Sequence, residues 1–265
     1  MPNNFLIKYI LQTLVYYDVM DYPMTAFEVW KYLTRTSQQS IDNIQQQIEI
    51  GAQCMIEKYG LTEVIKELES DGLKKYIEEY QGYYFLQGRK NLVEQRLERN
   101  KIAEKKFKLI QKITGWLRFL PYIKMVAVTG RVAMKNSENK SDLDFLIVLK
   151  KHKLFTGRML VTSLIHFLGR RRYADKIKNR ACLNYYITDK SLEISLRDVF
   201  SASEYFFITP IFGKDIFHEF QEKNSWIGGY KPNYSPDKIF NLKFVRDNKL
   251  AKFSRRLLKG LLEFF

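Results

Sequence analysis

Two short polar segments contain the residue types in this sequence that are best suited to chemistry. A Thr-Gly-Arg tripeptide occupies positions 129–131 and Ser-Asp-Leu-Asp occupies positions 141–144, and each adjoins a short apolar run. Apolar runs on either side of a glycine turn and a polar loop predict adjacent buried strands. Side chains two residues apart leave the same face of an extended strand, so Asp142 and Asp144 are expected to lie side by side.

Two carboxylates at this separation repel each other unless a cation lies between them. Mg²⁺ is usually held by one or two carboxylates together with substrate phosphates, and we expect Mg²⁺ or Mn²⁺ here. Gly130 lets the backbone approach a ligand closely, and amides at a following helix start suit phosphate. The pattern therefore predicts a site for a metal-bound nucleoside triphosphate. The alternative is that Ser141 and Asp142 cap a loop while Asp144 is a solvated turn residue.

The complete pattern resembles the signature of the DNA polymerase β-like nucleotidyltransferase superfamily. That signature is a strand, a Gly-Ser pair, an intervening segment, and Ser-Asp-x-Asp at the start of a second strand. Here the ten residues 132–141 form the intervening segment. Outlying stretches also resemble bacterial proteins that carry this domain: Tyr16-Tyr17-Asp18, Asp21-Tyr22-Pro23, Tyr83-Tyr84-Phe85, Cys182-Leu183-Asn184-Tyr185 and Asn224-Ser225-Trp226.

The resemblance implies transfer of a nucleoside monophosphate from the metal-bound triphosphate to an acceptor, with pyrophosphate leaving. Asp142 and Asp144 would hold the metal. Phosphate contacts would come from the glycine turn and the loop: Thr129, Gly130, Arg131 and Ser141. Arg158, on a helix predicted over residues 155–168, is either a further phosphate contact or a solvated side chain. The acceptor is not identified by the sequence.

Two positions depart from the superfamily pattern. Arg131 stands where the superfamily has Ser, and its guanidinium could pair with phosphate or fill the pocket. The strand predicted over residues 181–187 offers Asn184 where a third carboxylate is expected, and Asn is a poor general base. The predicted catalytic set is therefore Asp142, Asp144 and Asn184. The alternative is a catalytically degenerate module that binds a nucleotide, an acidic protein or nucleic acid.

The first ninety residues have the pattern of a winged-helix-like module. Helical periodicity, a Thr-x-x-Glu capping box and two strand-like runs predict three helices and a hairpin, over residues 4–17, 25–33, 61–70 and 73–86. The first strand of the hairpin is expected over residues 73–77. The third helix and its end carry one cation, Lys66, among four acidic residues. Because DNA-reading helices need cations, we do not favour nucleic-acid binding through this helix. A scaffold or protein-contact role fits better.

The predicted fold class is α+β, in four parts. A winged-helix-like module (residues 1–90) precedes a connector helix (91–120), a nucleotidyltransferase-type mixed β-sheet flanked by helices (121–234) and an amphipathic basic helix (235–265). We expect this last helix to pack on the sheet domain. A protein partner, an oligomer or a membrane surface are the alternatives.

The net charge of +15 is unevenly distributed along the chain. Residues 1–90 have 9 Lys or Arg against 12 acidic residues, whereas the remainder has 35 against 17. Residues 150–180 hold ten basic residues and a single acid. Such a surface would attract an anionic substrate or nucleic acid, and the alternative is a solvated basic face.

Hydropathy and cysteine usage predict a cytoplasmic protein. No apolar run approaches the length of a transmembrane helix, and the N-terminal residues do not have the pattern of a signal peptide. Cys54 and Cys182 are far apart and lack metal-binding spacing, so we expect reduced, packed thiols.

Overall fold

The computed structural model describes residues 4–35, 58–235 and 244–264. The helices are α1 (Asn4–Asp18), α2 (Ala26–Lys31), α3 (Leu61–Leu68), α4 (Asp71–Lys74), α5 (Leu92–Leu117), α6 (Gly130–Ala133), α7 (Leu154–Phe167), α8 (Val199–Phe206), α9 (Lys214–Lys223), α10 (Ile227–Tyr230) and α11 (Lys249–Phe264). The strands are β1 (Met24–Thr25), β2 (Ile77–Tyr80), β3 (Tyr83–Leu86), β4 (Ile123–Val128), β5 (Leu143–Leu149), β6 (Ala181–Thr188) and β7 (Thr209–Phe212). The protein is therefore of the α+β class.

The chain divides into two compact units that are not continuous in sequence. Unit 1 contains Met1–Glu98, Ser195–Phe206 and Ser225–Asp237, and unit 2 contains Arg99–Ile194, Phe207–Asn224 and Lys238–Phe265. The two later segments of unit 1 fall within the sequence range that we expected for the sheet domain and the C-terminal helix. Long-range hydrogen bonds hold one of them in unit 1. Arg35 N donates to Tyr230 O over 2.8 Å, and Tyr59 N donates to Asn233 Oδ1 over 3.2 Å.

Helix α2 begins where the sequence predicts. Thr25 Oγ1 accepts a hydrogen bond from Glu28 N over 3.2 Å, and Glu28 Oε2 accepts one from Thr25 N over 2.9 Å. This reciprocal pair satisfies two backbone donors that a helix start leaves without partners. The predicted capping box is therefore confirmed.

The sheet of unit 1 is antiparallel, in the order β1-β3-β2. Gln81 and Gly82 connect β2 to β3 with φ angles of 54° and 79°, the left-handed conformation of a tight hairpin turn. This turn fixes the register, so that Ile77 faces Leu86 at the end of the ladder. The strand predicted over residues 73–77 was therefore placed too early. Leu73 belongs to the short helix α4, and its side chain is buried.

Unit 2 is built on a mixed four-stranded sheet in the order β6-β5-β4-β7. Strand β5 is antiparallel to β4 and parallel to β6, and β7 is antiparallel to β4. Strands β4 and β5 are apolar along almost their whole length because both of their faces are buried. The antiparallel pairing places the end of β4 beside the start of β5, with Val128 opposite Phe145.

Helix α5 contributes a buried stripe to unit 2 at heptad-like spacing. Its members are Arg99, Ala103, Lys106, Ile110, Ile113 and Leu117, each less than a tenth exposed. An apolar stripe is expected on the buried side of an amphipathic helix. The cations Arg99 and Lys106 therefore interrupt a pattern that is otherwise aliphatic.

Helix α11 packs on other residues of unit 2 along one of its faces. Ala251 is buried, Arg255 Nη1 donates to Arg118 O over 2.6 Å, and Ser254 Oγ donates to Phe119 O over 3.4 Å. The helix therefore contacts unit 2 through this face, whereas the apolar side chains on which the expected packing depended are more than half exposed: Leu250, Phe253, Leu257 and Leu261. Residues 236–243, which begin the predicted C-terminal segment, lie outside the described residues. Among the helices that the structure describes, none has the length and apolar character needed to cross a bilayer.

Candidate metal and phosphate site

Three backbone segments of unit 2 meet at the start of the central strand β5. Asp142 immediately precedes β5 and Asp144 is its second residue. Thr129, which follows β4, donates its backbone N–H to Asp144 O over 3.1 Å. On the other side, Cys182 of the parallel strand β6 is the register partner of Asp144. The sheet therefore brings the two predicted segments together and adds a thiol to them.

Asp142, Asp144 and Cys182 form a compact cluster. One carboxylate oxygen of each aspartate and the Cys182 Sγ all lie within 4.8 Å of one another. Both aspartates are partly exposed, whereas Cys182 is buried. Burial raises the pKa of the Cys182 thiol, and the Asp144 and Asp142 carboxylates act in the same direction. The thiol is therefore neutral near pH 7, and the two carboxylates provide the hard oxygen ligands that suit Mg²⁺ or Mn²⁺.

Gly130 lies directly against the Asp144 carboxylate. Its φ of +63° is in the left-handed region, and a Cβ placed on it would be 2.7 Å from Asp144 Oδ2. A side chain at position 130 would therefore strain the backbone and push the carboxylate away. Gly130 also begins α6, as expected, although that helix has only four residues. The glycine in the motif is thus required by the position of Asp144.

Arg131 points its guanidinium at Glu138 rather than at the aspartate pair. Arg131 Nη1 donates to Glu138 Oε1, which also accepts a hydrogen bond from Arg99 Nη2 over 3.2 Å. Arg99 Nη1 reaches the side-chain oxygen of Asn136 in the same loop over 3.4 Å. Arg131 and Arg99 therefore both stabilise the loop between α6 and β5.

Lys106 anchors the residue that precedes Asp142. Its Nζ donates to the backbone oxygen of Ser141 over 2.5 Å and to the Ser141 hydroxyl oxygen over 2.7 Å. Burial lowers the pKa of Lys106 to about 8, although Asp142 and Asp144 oppose this shift. Ser141 Oγ in turn donates to Glu138 O over 3.0 Å. Ser141, predicted as a phosphate contact, is thus part of the hydrogen-bonded loop that positions Asp142.

Arg172 pairs with one of the predicted metal ligands. Its Nη1 lies 2.5 Å from Asp142 Oδ2 and 3.7 Å from Cys182 Sγ. The backbone N–H of Arg172 donates to Ala181 O over 3.0 Å, which holds this segment beside the start of β6. The Asp142 carboxylate raises the pKa of Arg172, so the guanidinium stays charged. The sequence showed Arg172 only as one residue of a basic run.

A cavity of about 390 Å³ adjoins the cluster on the β6 side. It is lined in part by Arg158, Thr162, Arg171, Arg172, Tyr173 and Cys182. The Arg158 guanidinium carbon lies 5.5 Å from the centre of the Tyr186 ring. Arg158, one of the predicted phosphate contacts, therefore lies in a basic cavity next to the aspartates.

Asn184, the third predicted catalytic residue, lies in β6 where the register shifts. Between the paired positions Asp144–Cys182 and Leu146–Tyr185, β5 has one residue, Phe145, whereas β6 has two, Leu183 and Asn184. This irregularity is a β-bulge, and it contains Asn184. The Asn184 side chain is outside the described part of the structure, so its catalytic role stays a prediction. The observed neighbour of Asp144 on β6 is Cys182.

The chain matches no protein-family model, and no match was found among curated proteins or solved structures. The functional argument therefore depends on the geometry and chemistry of the site. Cys54, the second cysteine, lies outside the described residues.

Proposed function

We propose that this protein is a metal-dependent nucleotidyltransferase related to the DNA polymerase β-like superfamily. The observation that carries the proposal is the cluster of Asp142, Asp144 and Cys182, with Gly130 packed against the Asp144 carboxylate. Two neighbouring strands that carry a pair of carboxylates at the start of the second strand are suited to a divalent cation and a phosphate substrate. The mixed sheet, with β5 antiparallel to β4 and parallel to β6, is compatible with this class.

In this proposal, each part of the site has a separate role. Asp142 and Asp144 hold Mg²⁺ or Mn²⁺, and the turn at Gly130 lets the nucleotide phosphates approach the backbone. Thr129, whose N–H is bonded to Asp144 O, holds this turn beside β5. When bound, the metal supplies positive charge that offsets charge on the phosphate oxygens. An acceptor oxygen bonds to the α-phosphorus, and the bond to pyrophosphate breaks. Lys106 keeps Asp142 in position through Ser141.

The remaining features of the proposal come from the sequence pattern. The first part of the chain is a winged-helix-like module that serves as a scaffold or protein contact, because Lys66 is surrounded by acidic residues in α3. Nucleic acid, if bound, contacts the basic residues 150–180. A cytoplasmic location is part of the proposal, and the lack of a disulfide or metal-binding cysteine pattern supports it.

Manganese binding tests this proposal directly, because Mn²⁺ is paramagnetic and accepts the same ligands as Mg²⁺. We expect electron paramagnetic resonance to detect one bound Mn²⁺ for each chain in the presence of a non-hydrolysable ATP analogue. Asp144→Asn should lose this ion, whereas Asp175→Asn, which changes an exposed acid of the same unit, should retain it. Equal Mn²⁺ binding by both variants would exclude the aspartate cluster as the metal site.

A second proposal is favoured by the ion pair between Arg172 and Asp142. In a catalytically degenerate module, the Arg172 guanidinium takes the place of the metal and neutralises the aspartates. The neutral Cys182 thiol opposite Asp144 fits this alternative, because it cannot serve as a third carboxylate. Arg172→Gln should then create Mn²⁺ binding that the wild-type protein lacks. The enzyme proposal instead expects Mn²⁺ binding by the wild-type protein as well.

A further inference from the structure

The cavity beside β6 concentrates positive charge that the described protein groups do not balance. Arg158, Arg171 and Arg172 all line it. Arg172 is paired with Asp142, but within the described ranges neither Arg158 nor Arg171 has a carboxylate at ion-pair distance. Guanidinium groups around one cavity repel each other, and an anion between them would relieve that repulsion.

The backbone and the neighbouring side chains hold these arginines in place. Backbone hydrogen bonds pair the segment before Tyr173 with the start of β6, through Arg172 N to Ala181 O and Ala181 N to Arg170 O. Arg158 is supported on the Tyr186 ring from the adjacent helix α7. All three arginines are exposed, but their backbone is fixed by helix α7 or by the pairing with β6, which limits where the guanidinium groups can reach.

The cavity and the glycine turn lie on opposite sides of the aspartate pair. Gly130 follows β4 and touches Asp144, whereas Arg172 contacts Asp142 and Cys182 on the β6 side. Because β5 lies between β4 and β6, a metal held by the aspartates would be reachable from two directions. The glycine turn faces one of these directions and the basic cavity faces the other.

We propose that the basic cavity holds the phosphate group of the acceptor, which is a small phosphate monoester with a free hydroxyl. This inference rests on the proposed nucleotidyltransferase function. The guanidinium groups match the charge and the geometry of a phosphate dianion, and the volume of about 390 Å³ admits a small ligand. The acceptor hydroxyl oxygen bonds to the α-phosphorus of the nucleotide, pyrophosphate leaves, and the hydroxyl proton passes to water.

The test is calorimetric titration with inorganic phosphate at constant ionic strength, with wild-type protein and two matched variants. Arg171→Gln removes a guanidinium that lines the cavity, and Arg170→Gln removes an exposed one that does not. We expect Arg171→Gln to weaken phosphate binding about tenfold, the size of one lost charge-assisted hydrogen bond. Arg170→Gln should leave the affinity unchanged. Equal affinities of the two variants would overturn the proposal.

A second titration separates the acceptor from the nucleotide. Phosphate is titrated into wild-type protein that is saturated with Mg²⁺ and a non-hydrolysable ATP analogue. An unchanged or tighter phosphate affinity supports an acceptor site, whereas competition would assign the cavity to the triphosphate and overturn the proposal. If the wild-type protein binds no nucleotide, the proposed function fails and the acceptor assignment fails with it. The first titration does not require nucleotide binding, so it would still show whether Arg171→Gln and Arg170→Gln differ in phosphate affinity. Failure of the proposed function can therefore be distinguished from failure of the phosphate site.

Discussion

The ammonium group of Lys106 lies 2.5 Å from the backbone oxygen of Ser141, the residue immediately before Asp142. This contact joins the middle of α5 to the loop that carries the first metal ligand. Lys106 is buried, and it occupies a position of the α5 stripe where an aliphatic side chain would be expected. A helix outside the motif therefore contributes to the position of Asp142.

The lowered pKa of Lys106 predicts a pH dependence of stability. Its pKa is about 8 in the folded chain and 10.5 in the unfolded chain. Between these values the unfolded chain holds a proton that the folded chain has lost, so the free energy of unfolding rises with pH. Urea denaturation from pH 7 to 10 should show this rise in the wild-type protein and a smaller rise in Lys106→Met. Lys105→Met, which changes an exposed neighbour, should behave like wild type, and parallel profiles for all three proteins would contradict the prediction.

Gly130→Ala should cost both stability and metal binding. Its matched control is Gly169→Ala, because both glycines have a φ of +63°. A Cβ at position 169 has only Arg180 Nη1 nearby, at 3.9 Å, whereas one at position 130 would be 2.7 Å from Asp144 Oδ2. Each change should cost roughly 1–2 kcal/mol from backbone conformation. Only Gly130→Ala should also lose Mg²⁺-nucleotide binding, measured by calorimetry. Normal binding by this variant would show that the close approach to Asp144 is not needed.

Lys231 should make the stability of unit 1 depend on pH. Its side chain is fully buried, and its Nζ donates to Thr34 Oγ1 over 2.7 Å and to the Tyr17 hydroxyl over 3.1 Å. Burial lowers the pKa of Lys231 well below 10.5, so stability rises with pH from that lowered pKa upward. Burial raises the pKa of Tyr17, so stability falls again above about pH 10.

The measurement is urea denaturation at pH values from 7 to 11, in which the fluorescence of unit 1 reports unfolding. Lys231→Met, which keeps most of the side-chain volume, should show a smaller rise below pH 10 than the wild-type protein and retain the fall above it. Lys66→Met, on the exposed face of α3, serves as the control and should leave the wild-type profile unchanged. A rise in Lys231→Met as large as that in the wild-type protein would mean that other groups cause it.

Local patterns in the sequence were sufficient to predict most elements of the fold. The apolar runs at 125–128 and 145–149 correspond to β4 and β5, because strands buried on both faces are continuously apolar. The Thr25 capping box was also predicted, since both partners lie within four residues. The hairpin strand over residues 73–77 was wrong because Leu73 belongs to the short helix α4, and the strand that pairs with β3 in the hairpin begins only at Ile77.

The rest of the site depends on tertiary contacts that no local pattern reveals. The Lys106 contact joins residues 35 positions apart, and the Arg172 contact joins residues 30 positions apart. A cation in the buried stripe of α5 was the available signal for Lys106. Cys182 faces Asp144 because of the parallel register of β5 and β6 before the bulge. The sequence does not specify this register.

The central claim is that Asp142 and Asp144 together hold the metal of a metal-bound nucleotide. The most direct measurement is the melting temperature of wild-type protein and Asp144→Asn, each with Mg²⁺-ATP, with ATP plus EDTA, and without ligand. A ligand at about 100 times its Kd stabilises the folded state by about 2.7 kcal/mol, which raises the melting temperature by several degrees. We expect this increase in the wild-type protein only, and EDTA should remove it. The ligand-free melting temperature of Asp144→Asn should equal that of the wild-type protein or be slightly higher, because the substitution relieves the repulsion between the two carboxylates. A strongly lowered ligand-free melting temperature in Asp144→Asn, together with no effect of Mg²⁺-ATP on wild type, would show that these aspartates stabilise the loop and bind no metal.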